Sequence, residues 1–292
     1  MRVIIPFPAG AATDIVGRVV TEQMSKRLNQ PFVVDNRPGA GGTIGELAVV
    51  QAEADGYTIL VHSNSHTLTP WTYKGLKYDG ARDFTGIVPL SAVPMAVVTA
   101  PESNLKNVQD LVRLARSKPG GINHSSSGNG GATHLGAERL RMAANFPATH
   151  VPYKGSAEAI REVMSGRVEF HVAPLSLALP QIQAGKLVAL AAASSKRSDS
   201  LPNLATSVEQ GIADSYYDVW IGMFANSKTP PAITARLADE AINALRSPEI
   251  KARYTAMSMD LMPMTMAEFN EFRRKDFEVN RKIVEATGTK AD

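Results

Sequence analysis

The 292-residue sequence contains no cysteine. This absence excludes thiol catalysis, thiolate zinc sites and disulfide bonds. A chain of this length does not need such crosslinks, because the fraction of surface that is buried on folding rises with chain length. At roughly 150 residues per domain, the length predicts about two domains.

Long apolar runs and clusters of one charge are also absent. No stretch of about 18 apolar residues occurs, so the sequence predicts no membrane-spanning helix. The 31 Lys and Arg residues and the 28 Asp and Glu residues leave a net charge of +3, and they are dispersed along the chain. The densest basic group, Arg273-Arg274-Lys275, has acidic neighbours, whereas nucleic-acid-binding proteins usually carry a clustered basic stripe. We therefore expect no nucleic-acid partner.

The common cofactor and catalytic motifs are missing as well. The Gly-rich segment 39–44 has Ile44 where the dinucleotide fingerprint requires glycine. No Walker A loop, G-x-S-x-G nucleophile elbow or HExxH zinc motif occurs. His134 and Glu138 stand four residues apart, which favours a hydrogen bond on one helix face over a metal or acid–base pair. We expect no cofactor, no metal ion and no catalytic residue.

Strand-like and helix-like segments alternate over most of the chain. One series begins at Arg2–Ile5 and a second near Pro101, and such alternation predicts α/β architecture with parallel strands. Two short apolar crossings, Ala96–Thr99 and Val219–Phe224, indicate that one domain is inserted into the other. The predicted division is a first lobe of residues 1–98 and 221–292 and a second lobe of residues 99–220. Two connecting strands would then form a hinge beside a cleft.

The loops that follow the predicted strands are rich in small and hydroxyl-bearing residues. Such loops include 6–14 and 63–67 in the first lobe and 125–134 and 153–156 in the second. In open α/β sheets, ligands bind beyond the carboxyl ends of the strands, and free N–H groups at a helix N-terminus favour anions. Because Asp14 is nearly the only carboxylate in these loops, the pattern predicts a site for a small anion.

Five segments, in order along the chain, are similar to one family. They are residues 6–14, 36–45, 55–60, 126–135 and 150–155, and they resemble the Bug-type receptors. These receptors are the periplasmic substrate-binding proteins of tripartite tricarboxylate transporters. The likeness covers nearly the whole chain and includes 184–187 and the helix start at 230–231. One departure is Ala11, where the family usually has a second glycine.

The resemblance implies a two-lobed Venus-flytrap fold that binds a carboxylate between the lobes. The loop after the first strand and the Gly-rich loop of the second lobe would grip one carboxylate group. Few charges lie near the distal end of the ligand, which favours an aliphatic or aromatic dicarboxylate over citrate. The ligand-binding residues that we expect are Ala11, Ala12, Thr13, Asp14, Ser63, Ser65, His66, Ser127, Gly128, Asn129, Thr133, His134, Tyr153 and Ala173.

The resemblance also implies that the protein is a receptor and not an enzyme. We expect a monomer in the periplasm that delivers its ligand to cognate membrane transporter subunits. No leader peptide precedes the first predicted strand, so we take the sequence as a mature form. Two alternatives remain open: a ligand-sensing partner of a membrane sensor kinase, and a carboxylic-acid isomerase or hydrolase that uses His134 and Asp14 as acid and base.

Overall fold

The computed structural model describes residues 1–290. The strands are Arg2–Ile5 (β1), Val33–Asn36 (β2), Thr58–Ser63 (β3), Phe84–Val93 (β4), Met95–Thr99 (β5), Ile122–Ser126 (β6), Ala148–Pro152 (β7), Phe170–Pro174 (β8), Val188–Ala192 (β9) and Val219–Asn226 (β10). The helices are Ala12–Leu28 (α1), Thr43–Val50 (α2), Ser65–Thr72 (α3), Val108–Ser117 (α4), Ala132–Ala144 (α5), Ser156–Met164 (α6), Leu175–Gln183 (α7), Pro231–Leu245 (α8), Pro248–Ala256 (α9) and Met266–Thr287 (α10). None of the helices within residues 1–290 combines the length and the apolar composition that crossing a bilayer requires.

The strands form two five-stranded sheets, in the orders β2-β1-β3-β10-β4 and β7-β6-β8-β5-β9. In the first sheet β1 is parallel to β2 and β3, while β10 is antiparallel to β3 and β4. In the second sheet β6 is parallel to β7 and β8, while β5 is antiparallel to β8 and β9. The predicted two-lobed α/β fold is confirmed.

The chain crosses between the sheets at two places. Pro94 alone separates β4, in the first sheet, from β5, in the second. The return crossing ends at Val219, where β10 enters the first sheet. Strand pairing therefore favours lobe boundaries at Pro94 and Asp218, slightly earlier than the predicted boundaries after residues 98 and 220. The division into lobes remains a proposal.

Each sheet is covered on both faces, because alternate side chains of a strand point to opposite sides. Val3 and Ile5 of β1 lie in a core cluster with α1 and α8, whereas Ile4 lies with the residues that pack against α2 and α10. In the second sheet, Val97 lies in one apolar cluster, and its neighbours Ala96 and Val98 lie in another on the opposite face. Because both sheets are enclosed, their strands are nearly continuous apolar runs.

Two elements were not predicted. The segment Ser65–Thr72 is α3, although its Ser, Thr and Pro residues are typical of a loop. The ten-residue β4 contains Pro89 and has register irregularities against β10. The C-terminal helix α10 packs on α3 and β4 in the first lobe and on α5 beside the second sheet.

Candidate functional site

The carboxyl ends of the parallel strands of both sheets lie next to the crossings. Ser63, at the end of β3, pairs with Ile221, near the start of β10. Pro174, at the end of β8, pairs with Met95, at the start of β5. Since β5 and β10 begin where the chain changes sheet, the loops after β1, β3, β6, β7 and β8 all open toward the hinge. These loops of both lobes therefore lie on the hinge side of their sheets.

The loop after β1 ends at a helix without a side-chain cap. Gly10 has a φ of +85°, a left-handed conformation that favours glycine. Ala11 is the N-cap of α1, with φ −66° and ψ 157°, so alanine fits there without strain. The first hydrogen bond of the helix runs from the Ile15 N–H to the Ala11 carbonyl oxygen, at 2.9 Å. The N–H groups that lack an acceptor within the described residues belong to Ala12, Thr13 and Asp14.

The carboxylate of Asp14 is buried and fully engaged within the first lobe. It accepts hydrogen bonds from Gly10 N–H at 2.9 Å, Arg18 Nε at 2.9 Å and Asn36 Nδ2 at 2.8 Å. Burial alone would raise the pKa of Asp14, but the bonds from Arg18, Gly10 and Asn36 outweigh it and lower that pKa. The side chain thus fixes the loop after β1, and only the backbone N–H of Asp14 remains for a ligand.

The loop after β3 presents two half-buried serines at the hinge side. Ser63 Oγ donates to Ser65 Oγ at 3.1 Å, and Ser65 N–H donates to Ser63 Oγ at 3.3 Å. Between them, the Asn64 N–H donates to the Trp220 carbonyl oxygen at 2.9 Å. The predicted serines therefore lie directly beside the strand that crosses between the lobes.

The Gly-rich loop after β6 is shaped by the first turn of α5. Ser127 N–H donates to Thr133 Oγ1 at 2.9 Å, and Gly130 N–H donates to His134 Nδ1 at 3.1 Å. No side chain caps α5, and its first hydrogen bond runs from Leu135 N–H to the carbonyl oxygen of Gly131. Its first N–H groups therefore lack an acceptor within residues 1–290, as in α1. The predicted residues Gly128 and Asn129 lie at the turn of this loop, with the Asn129 side chain exposed.

Helix α6, which follows β7, also has an uncapped N-terminus. Its N-cap is Gly155, and no side chain accepts from its first turn. Tyr153 is half-buried, and its N–H donates to the Ser126 carbonyl oxygen at 3.0 Å. This bond ties the loop after β7 to the base of the Gly-rich loop, so the two lie side by side.

Two residues predicted to contact the ligand have side chains in the core. His66 has no exposed surface, its Nδ1 lies 2.5 Å from Glu46 Oε1, and its ring packs on Phe84 and Phe224. The cause is α3, which turns the residue after Ser65 inward. Ala173 is also fully buried, on the face of β8 that packs with Ala96 and Val98. Neither side chain is open to a ligand in this structure.

Sequence reasoning missed a buried polar cluster around one carboxylate, Glu46, in the first lobe. Glu46 of α2 is fully buried and accepts hydrogen bonds from His66 and from the Tyr78 hydroxyl. Burial raises the pKa of Glu46, and it lowers the pKa of His62 to about 4 and that of His66 well below its usual value. The Arg273 guanidinium lies 3.4 Å from His66 Nε2. The cluster links α2, α3 and α10.

A second missed network anchors the crossing strand. The Tyr217 hydroxyl accepts from Asn64 Nδ2 at 3.1 Å and donates to Asn280 Oδ1 at 3.0 Å. Trp220 Nε1 donates to Asp276 Oδ2 at 3.1 Å. Asn64 belongs to the loop after β3, and Asn280 and Asp276 belong to α10, so one network joins cleft loop, hinge and C-terminal helix. The one signal in the sequence was the position of Asn64 between two predicted serines.

The arrangement is suited to binding and not to bond chemistry. His134 and Asp14, the acid and base of the enzyme alternative, lie in different lobes, and both are engaged by the loops that they shape. Within residues 1–290, no group of three or more His, Asp or Glu side chains is arranged to hold a metal ion. Backbone N–H groups and the positive ends of helix dipoles from both lobes instead favour an anion.

Two solved structures with bound acids are similar to this chain. MatC from Rhodopseudomonas palustris, with bound malate, is 26% identical with a TM-score of 0.75, and the match covers 97% of this chain and 98% of that one. A second R. palustris protein, with adipate, is 27% identical with a TM-score of 0.79 and coverages of 99% and 97%. A structure described as a periplasmic transporter is 33% identical, with a TM-score of 0.78 and coverages of 100% and 98%.

The sequence comparisons point to the same group of proteins. A UPF0065 protein of Pseudomonas sp. strain P51 is 33% identical over 85% of this chain and 74% of its own length. Protein BugT of Bordetella pertussis is 30% identical over 99% of this chain and 90% of its own length. The family model described as the tripartite tricarboxylate transporter family receptor matches residues 16–289. The chain therefore belongs to the tripartite tricarboxylate transporter receptor family, whose members are receptors and not enzymes.

Proposed function

We propose that this receptor binds a small dicarboxylate between its lobes in the periplasm and delivers it to the membrane subunits of a tripartite tricarboxylate-type transporter. The observation that carries the proposal is the pair of uncapped N-termini, on α1 of one lobe and α5 of the other, at the hinge side of both sheets. Malate and adipate, held by two solved relatives, are both dicarboxylates.

The energetics of such a site are adequate for a receptor. A hydrogen bond from a neutral N–H to a carboxylate contributes about 1.5–3 kcal/mol. Four such bonds at the upper end of that range total about 12 kcal/mol, and after an association cost of about 4 kcal/mol they leave about −8 kcal/mol, the equivalent of micromolar affinity. We propose that the hydroxyl groups of Ser63, Ser65 and Ser127, which are half-buried, are further donors to the ligand.

Binding would be coupled to closure of the cleft. Uncapped N-termini lie in both lobes, on α1 in the first and on α5 and α6 in the second, so a carboxylate reaches donors of both lobes only when the lobes approach each other. A ligand that contacts both lobes binds the closed state better and shifts the equilibrium toward it. Because closure needs only the two lobes of one chain, we propose that the receptor works as a monomer.

Delivery to a transporter is supported by the description of the matching family. The periplasmic location is supported by the structure described as a periplasmic transporter. Uptake of a labelled dicarboxylate into vesicles that carry the membrane subunits measures delivery, and uptake that does not depend on the receptor would contradict it.

The donor role of α1 is tested by replacing Ala12, its first helical residue. Ala12→Pro removes one free N–H, while proline suits the first position of a helix, as Pro231 and Pro248 already do in α8 and α9. The extended backbone of Ala11 also suits a following proline. The matched control, Ala12→Ser, keeps the N–H. We expect Ala12→Pro to weaken adipate or malate binding about tenfold by calorimetry and Ala12→Ser to leave it nearly unchanged. Equal affinities of both variants and the wild type would remove α1 from the site.

A further inference from the structure

Three histidine rings stack beneath the Gly-rich loop of the second lobe. The ring centroids of His134 and His150 are 3.8 Å apart with planes inclined by 13°, and those of His124 and His150 are 5.0 Å apart at 19°. The rings come from α5, β7 and β6. This histidine stack, His124, His134 and His150, brings half of the chain's six histidines to one place.

The histidine stack contacts the Gly-rich loop near the start of the loop and again near its end. Gly130 N–H donates to His134 Nδ1 at 3.1 Å. At the other end, His150 Nε2 lies 2.5 Å from Ser126 Oγ, which also bonds the N–H and the carbonyl oxygen of Gly128 at 3.1 Å each. The backbone of the loop is thus held from below by imidazole nitrogens.

The bond to Gly130 requires a neutral His134. A backbone N–H donates only to an imidazole nitrogen that carries no proton, so Nδ1 must be the acceptor and the other nitrogen carries the hydrogen. Protonation of Nδ1 would turn the acceptor into a second donor and break the bond to Gly130. The conformation of the loop is therefore linked to the protonation state of a side chain below it.

The surroundings of His134 and His150 keep both rings neutral near pH 7. Burial lowers the pKa of His134 and that of His150 to about 4, against the opposing effect of the Glu138 carboxylate. Glu138 is itself bonded by His124 Nε2 at 3.0 Å and Arg141 Nε at 2.9 Å. The titratable or charged groups that face the stack are Glu138 and Arg141 of α5, His171 of β8 and Lys290 after α10.

We propose that the histidine stack is a positioning device for the carboxylate-binding loop, and that the receptor loses affinity in acid because protonation of His134 releases Gly130. This inference rests on the proposed function. The sign follows from the linkage relation. A released histidine titrates near its ordinary value of 6.5, and the packed one near 4. Between pH 6.5 and pH 4, His134 therefore binds more protons when the loop is released than when it is packed. As the pH falls through this range, the equilibrium shifts from the packed loop to the released loop.

The variant His134→Asn keeps an acceptor for the Gly130 N–H but removes the side chain that can be protonated. An asparagine Oδ1 can accept from Gly130 as Nδ1 does, but it carries no proton at any of these pH values. His134→Leu removes the acceptor altogether. We expect His134→Leu to bind a dicarboxylate about tenfold more weakly than His134→Asn at pH 7.5, the equivalent of one hydrogen bond.

The pH profile is the decisive readout. The ratio of the wild-type dissociation constant to that of His134→Asn is measured with one dicarboxylate between pH 7.5 and 5, and in this ratio the ionisation of the ligand cancels. We expect the ratio to rise at least about twofold as the pH falls to 5, with a ceiling of about thirtyfold set by the packed and released pKa values of His134. A flat ratio would overturn the inference.

A ligand-free measurement distinguishes failure of this inference from failure of the proposed function. Hydrogen exchange of the Gly130 amide is compared in the wild type and in His134→Asn at each pH. We expect equal protection at pH 7.5 and a relative loss in the wild type alone toward pH 5. If no dicarboxylate binds but this loss occurs, the ligand assignment fails and the positioning role stands. If the amide behaves alike in both proteins at every pH, the positioning role is wrong whatever binds.

Discussion

Asp14 illustrates how a carboxylate can serve an anion site without contacting the anion. Its oxygens are occupied by Gly10, Arg18 and Asn36, so the negative charge is balanced locally while the helix N-terminus stays open. An aspartate in the first turn also interacts favourably with the helix dipole. At the residue scale, the side chains of the site loops mainly hold backbone, and in the proposed binding mode the backbone N–H groups donate to the ligand.

Replacing Asp14 by asparagine tests this role. The asparagine has one oxygen that accepts hydrogen bonds, and its NH2 group faces a donor in place of the second carboxylate oxygen. We therefore expect the free energy of unfolding to fall by about 1–3 kcal/mol at pH 7. Because the folded-state pKa of Asp14 lies below 3.8, its stabilisation is present above that pH and is lost as the pH falls through the folded-state value. Urea unfolding of Asp14→Asn and wild type should therefore converge in strong acid.

The control is Asp239→Asn, at an exposed position on α8. It should change stability by less than about 0.5 kcal/mol at either pH. A difference between Asp14→Asn and wild type that persists undiminished in strong acid would contradict the assignment of a charged, hydrogen-bonded Asp14.

At the scale of elements, α10 and the crossing strand are the parts that unite the molecule. The helix begins with a capping box between Thr265 and Glu268 and ends at Gly288, in the left-handed conformation. Its last turns place Ile283 and Val284 in an apolar cluster with Leu68, Leu135 and Tyr217. This cluster contains residues of α3, α5 and the crossing segment, so α10 contacts both lobes at the hinge.

Tyr217→Phe tests whether the polar network at the hinge supports the site. Loss of the hydroxyl leaves the buried amides of Asn64 and Asn280 without one partner each, which costs about 1–3 kcal/mol in free energy of unfolding. We expect a lower denaturation midpoint and weaker dicarboxylate binding, because Asn64 lies between Ser63 and Ser65. The control, Tyr216→Phe, changes a half-buried residue whose ring lies under the Arg139 guanidinium, 5.3 Å from its centroid. Equal behaviour of the two variants would remove the network from the account of the site.

The elements differ in how far the sequence reveals them. The helix Pro248–Ala256 is predictable because Ser247 caps it and a proline is its first residue. The site loops are predictable because glycine and hydroxyl residues mark the ends of apolar strands. The burial of His66 and the second-sheet position of Met95–Thr99 are not, since both depend on tertiary packing: α3 forms from a loop-like sequence, and β5 lies between β8 and β9.

At the scale of the whole molecule, two separately packed lobes meet at a short hinge. The sheets and their apolar clusters are largely distinct, and Pro94 is the entire connection between β4 and β5. Such an arrangement allows rigid lobes to move about a few residues, which is the usual basis of hinge closure around a ligand. In the proposed binding mode, the affinity of the receptor arises from bringing two helix N-termini to one anion.

Calorimetric titration of the wild-type protein at pH 7.5 tests this account most directly. The acids are adipate and malate, with the monomethyl ester of adipate and the tricarboxylate citrate as comparisons, and each acid is recovered and identified by NMR afterwards. We expect micromolar binding of a dicarboxylate, weaker binding of the monoester, and full recovery of the unaltered acid. Failure of every acid to bind, or conversion of a bound acid into another compound, would contradict it.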